Sequence, residues 1–133
     1  MNTAPFEVHI IVAVAQVAMA VGIAHFWWKW FHTEHTELWL PVGYVEHERV
    51  FVYPDSVMSL MMVVAAALLF FRHPLGQPLT LICGGMMLFL AVIDTVYFYQ
   101  HGMFHKARNG LENWGLVIPM YAMSALMTMP FLV

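Results

Sequence analysis

Four apolar runs, each close to twenty residues long, limit what this chain can fold into more than any other feature. A helix crossing a hydrocarbon core of about 30 Å needs roughly 20 predominantly apolar residues. Windows at about 8–30, 52–71, 79–99 and 114–133 meet that length. The first is interrupted by His9, Gln16 and His25, with Lys29 at its end, the second opens with Tyr53-Pro54-Asp55, and the third contains Asp94. The runs are apolar on all sides rather than striped, as lipid-facing or fully buried helices are. Only 10% of the residues are charged, against about 25% in a soluble domain, so too little polar sequence remains to cover a water-facing surface. The expected fold is an all-α, integral-membrane four-helix bundle, antiparallel and up-down-up-down, with residues 1–133 forming a single transmembrane domain.

The connections fit that topology. His73-Pro74-Leu75-Gly76-Gln77-Pro78 reads as a tight, helix-breaking hairpin. Residues 31–51 and 100–113 form longer loops, the latter with Gly102 and Asn109-Gly110 as turn signals. The only charge before the first run is Glu7, not the positive segment of a signal peptide, so this run is read as a mature first helix.

An even number of spans puts both termini on one side. Lys29, Arg49, Lys106 and Arg108 then share the opposite side, leaving Arg72 with the termini. The positive-inside bias puts the two longer loops in the cytoplasm and both termini on the non-cytoplasmic side, in what reads as a bacterial inner (plasma) membrane. Trp27, Trp28, Trp30 and Trp39 are expected in an aromatic belt at the loop-side interface, where Trp114 starts the returning helix. The formal charge of −3 gives no basic footprint for nucleic acid. Cys83 is the only cysteine and lies in an apolar run, as a buried inert thiol does.

Folding the chain this way gathers its polar chemistry into a histidine-rich interface on one side. Glu34, Glu37, Glu46, Glu48, Asp55, Asp94 and Glu112 fall on the loop side or the adjoining helix ends, with His25, His32, His35, His47, His101 and His105. Asp94 stands out, because a carboxylate inside a span costs about 2.5–3.5 kcal/mol on insertion scales and should face the bundle interior. Tyr97, His101 and His105 follow it at helical spacing, which predicts one polar helix face. Asp55 follows Pro54, which is ordinary helix-start chemistry, yet an antiparallel neighbour would also bring it toward Asp94. The candidate polar pocket is therefore Asp94, Asp55, Tyr97 and His101.

Cofactors are less well specified. His101 and His105 have a helical i, i+4 spacing that can present two imidazoles to one ion, and His32 and His35 could add ligands. No complete motif is present. Haem, the weaker alternative, would use His25 and His101 as axial ligands. The twelve methionines read as adaptable packing surface, and Gly84-Gly85 and Ala65-Ala66-Ala67 as sites of close helix approach.

Three functional readings follow. The absence of a recognisable reaction centre favours an accessory or structural subunit of a larger membrane assembly, with the lipid bilayer and other membrane subunits, or further copies of itself, as partners. The alternative is a membrane-embedded small-molecule-binding protein or enzyme built around Asp94. A dimeric proton-coupled transporter with Asp94 as its proton site is the third.

Overall fold

The computed structural model describes residues 4–132 and is an all-α four-helix bundle. Helix α1 spans Phe6–Phe31, a short α2 spans Tyr44–Val50, and α3 spans Val52–Phe70. Helix α4 spans Gly76–Gln100, and α5 spans Gly110–Leu132 after a single 3-10 turn at Lys106–Arg108. The stretches Phe6–Phe31, Tyr44–Phe70, Gly76–Gln100 and Gly110–Leu132 are long and apolar enough to cross a membrane. The chain is a small polytopic membrane protein.

The helices outrun the apolar windows, and the second one has an unexpected forerunner. Pro54 has no N–H to donate to the carbonyl of Val50, and its ring crowds that same carbonyl. The helix breaks there. Phe51 N–H bonds back to Glu48 O at 2.9 Å, and the regular pattern resumes with Asp55 N–H on Phe51 O at 3.0 Å. Residues assigned to a loop thus become α2, entered through Gly43 in the left-handed conformation (φ 81°). At the other end of α3 the hairpin is tighter than expected. Helix α4 already starts at Gly76, with Gln77 and Pro78 in its first turn, where proline's missing donor costs nothing. A Cβ on Gly76 would lie 2.9 Å from the backbone nitrogen of Leu69, so only glycine fits this return.

Helices α1 and α3 pack along their length, as do α4 and α5, and α3 joins the two pairs, while α1 and α5 meet only sparsely. The main core lies toward the chain termini, where Val12, Met62, Leu69, Cys83 and Met127 are essentially inaccessible. Gly84 allows α4 and α5 to close on each other. A Cβ there would meet Thr128 Cγ2 at 2.5 Å, and Ser124 Oγ donates to Gly84 O at 2.8 Å. Gly85 faces open space instead. Small residues are what allow backbones to approach when no aqueous hydrophobic drive holds the helices together.

Some polar side chains inside the bundle find partners, although Gln16 Oε1 and Ser59 Oγ are buried without one among the described residues. Gln16 Nε2 donates to Thr80 Oγ1 at 3.3 Å, and Thr80 passes its own hydrogen to Gly76 O at 2.8 Å. On the loop side, Asn113 Nδ2 donates to Met103 O at 2.7 Å and to Arg108 O at 3.3 Å. Arg108 Nη1 in turn donates to His101 O at 2.6 Å. These bonds pin the last connection over the bundle end, where Phe98, Met103 and Val117 form a second small core covered by Trp39 and Leu40.

Candidate functional site

Between the main core and this loop-side cap the helices part around a cavity of about 190 Å³, lined by residues from α1, α2, α3, α4 and α5. Its carboxyl groups come from three separate segments: Glu48 of α2, Asp55 of α3 and Asp94 of α4. The Pro54 break sets where α2 ends and α3 begins, and the two helices contribute one carboxyl each. Asp94 lies six residues before the end of α4, about 9 Å along the axis. Among the described residues no lysine, arginine or histidine lines the space.

The hydrogen bonding of the three acids is unequal. Trp27 Nε1 donates to Asp55 Oδ2 at 2.8 Å, tying α1 to α3. Among the described residues no donor reaches the carboxyl of Glu48 or Asp94. Glu48 is only 8% exposed, and an unpaired carboxyl at such depth is expensive to keep. The remaining wall is apolar or aromatic, with Phe26, Phe51, Met58, Met87 and Phe98 among its members.

Most of the lining is buried or half-buried. The exceptions are Gly22, Gly115 and Pro119, which line the cavity and also lie exposed on the bundle surface. All three belong to α1 and α5, the pair with the sparse contact. A Cβ on Gly22 or Gly115 would meet nothing within 4 Å. The exposed part of the lining therefore lies along the α1–α5 seam, within two helices long and apolar enough to cross a membrane. Pro119 adds a polar feature at this seam: lacking an N–H, it leaves the carbonyl of Gly115 without its helical donor.

The expected pocket is gathered in part. Asp94 and Asp55 line the cavity together, and Glu48 joins them. Tyr97 and His101 do not line it. Their rings lie against each other with centroids 4.3 Å apart, and Tyr97 stacks on His47 at 4.1 Å with planes 9° apart. The polar face predicted beyond Asp94 also ends early. Helix α4 stops at Gln100, His101 caps it, and Gly102 turns the chain with φ 63°, so His105 leaves the helical face.

The aromatic belt needs a similar correction. Trp28 is exposed, but Trp27 and Trp30, one turn apart, face inward and are buried. Trp27 thus becomes part of the cavity wall, a role its neighbours in the sequence concealed. The i, i+3 relation of the two tryptophans was the available signal. Glu48 carried none, because an acid in an apparent loop gives no reason to expect burial.

The metal candidates remain apart. His32 stacks on Trp28 and its Nδ1 donates to Trp28 O at 2.6 Å. His35 lies against Trp30, with Nε2 3.1 Å from Trp30 O. His101 Nδ1 donates to Tyr97 O at 2.9 Å. Among the described residues, neither these with His105 nor any other group of three or more histidine, cysteine, aspartate or glutamate side chains is placed to hold a metal ion. For haem, His25 lies exposed on α1, whereas His101 packs against Tyr97 at the end of α4.

No known protein family, curated protein or solved structure matches the chain, so the meaning of the site rests on its own geometry.

Proposed function

We propose that this protein binds a small molecule drawn from the lipid phase, in the cavity between Glu48, Asp55 and Asp94. A single observation carries the reading: an apolar-walled cavity inside the bundle holds convergent carboxyl groups and has its exposed lining at Gly22, Gly115 and Pro119. Binding sites are commonly concave and mostly apolar, with a few placed polar groups that fix orientation. Carboxyl groups inside a membrane bundle mark functional positions for the same energetic reason. An accessory-subunit role rests only on the lack of a recognisable motif, whereas the cavity and its carboxyls support a binding site directly.

The site is suited to capture rather than to conduction. Its exposed lining lies to the side, and the main core closes the bundle beneath it. Native mass spectrometry of protein released gently from its host membrane tests this reading. A discrete small-molecule adduct is expected on the wild type and should disappear from Gly115→Trp, whose indole would occupy the opening. Identical adduct patterns in the two proteins would refute the pocket.

A further inference from the structure

Resting on the pocket reading above, we infer that the ligand is an organic cation, a compact apolar body carrying a protonated amine. The polar side chains lining the cavity are mostly carboxyls, and of these only Asp55 has a hydrogen-bond donor among the described residues. Glu48, Asp55 and Asp94 contribute carboxyls, and Pro119 offers the carbonyl of Gly115 no helical N–H. The one indole N–H in the wall, from Trp27, is already committed to Asp55 at 2.8 Å.

Glu48 supplies the independent pointer. It is more than nine-tenths buried, lines the cavity, and receives no hydrogen bond among the described residues. Buried carboxyl groups are ordinarily hydrogen-bonded or paired, and among the described residues no cationic side chain lines the space to pair with it. An ammonium group brings the missing charge and up to three donors. Three convergent carboxyls disfavour an anionic ligand, and an ether or ester brings them no positive charge.

The walls agree with a cation that is otherwise apolar. Phe26, Trp27, Phe51 and Phe98 contribute aromatic rings, and a ring face attracts an ammonium within about 6 Å of its centroid. Size limits the body. An engineered dry cavity of about 150 Å³ takes up benzene, so 190 Å³ accommodates a single ring with a short aminoalkyl arm. A longer tail would have to leave through the α1–α5 seam.

Phenethylamine and phenethyl alcohol share this shape and differ in charge. Both would be titrated calorimetrically into the full-length protein in phosphatidylcholine nanodiscs, with empty nanodiscs correcting for partitioning. The amine is expected to bind about tenfold more tightly or better, the smaller end of what close charge pairs contribute across interfaces. That preference should vanish in the Glu48→Gln/Asp94→Asn double variant. Gly115→Trp should abolish binding of both compounds, with Gly22→Phe closing the same opening from α1 should the first variant fold poorly.

Equal binding of amine and alcohol, both lost on closing the seam, would overturn the cation and leave the pocket standing. Binding of neither compound, or binding indifferent to both seam variants, would overturn the pocket and the cation with it.

Discussion

Glu48→Met should make this protein more stable, contrary to what a typical point substitution does. The average substitution destabilises by about 1 kcal/mol. Glu48 is almost fully buried, faces the cavity, and has no hydrogen-bond donor among the described residues. Removing a polar group from such a place recovers about 1–3 kcal/mol by mutational measures. Methionine keeps the unbranched length of the side chain and adapts to an irregular wall, so little packing is lost in exchange. The contrast is Asp55→Leu, a change of similar size at the same cavity. It would strand Trp27 Nε1, which now donates to Asp55 at 2.8 Å, and a buried donor left without its partner costs about 1–3 kcal/mol. The two substitutions are therefore expected to move stability in opposite directions, although each removes one acid from the same site. Equilibrium unfolding in mixed dodecylmaltoside and dodecyl sulfate micelles, followed by circular dichroism, measures both. A loss of stability in Glu48→Met comparable to that in Asp55→Leu would refute the claim that Glu48 is retained at an energetic cost, and would make it an ordinary structural residue.

Other expectations concern the frame around the site. Gly84→Ala should destabilise by about 1–3 kcal/mol through overpacking, because its Cβ meets Thr128 Cγ2 at 2.5 Å. Adding Thr128→Ser removes that methyl and should restore much of the loss in a double-mutant cycle; strict additivity of the two changes would contradict the close approach. Asn113→Ala should cost about 1–3 kcal/mol by releasing the carbonyls of Met103 and Arg108, with faster hydrogen exchange over 101–113 as the local readout. Cys83 is inaccessible in the core, so labelling by a membrane-permeant maleimide should proceed only as fast as the bundle opens; rapid labelling of folded protein would contradict its burial.

The spans were legible in the sequence because membrane insertion demands length and apolarity, both of which a linear reading detects. Asp94 was legible for the same reason, as a carboxyl that apolar surroundings force inward. What escaped the reading depended on local breaks in helix geometry. Pro54 does mark the start of α3, as its position implied, but it also breaks a helix begun ten residues earlier at Tyr44, and that forerunner contributes Glu48 to the site. Gly102 does the converse: it turns the chain at the end of α4, so the helix face that the spacing implied holds Tyr97 and His101 but loses His105. Trp27 shows a third limit. Four tryptophans in a short stretch resemble an interface belt by composition, but α1 alternates its faces every few residues, and only packing against α3 decides which ring turns inward.

The arrangement also explains how a small bundle can hold a hollow at all. An open cavity removes packing contacts, and in a membrane, where lipid is as apolar as the helix surface, packing supplies much of the association. The loss is confined to one half of the molecule. In the half near the termini, Met62, Leu69 and Met127 interlock, and the Gln16–Thr80 bond joins α1 to α4 across the bundle. In the loop-side half a smaller core around Phe98, Met103 and Val117 is joined by individual polar ties: Trp27 on Asp55, Arg108 on His101 O, and Asn113 on the carbonyl of Met103. Ties of this kind can hold the ends of the helices in place while leaving the space between them free. The α1–α5 seam carries neither a tight core nor a glycine-backed crossing, and both of its glycines at the cavity face open space. A ligand entering there would separate the pair of helices whose contact contributes least, so admission need not disturb the core that keeps the bundle folded.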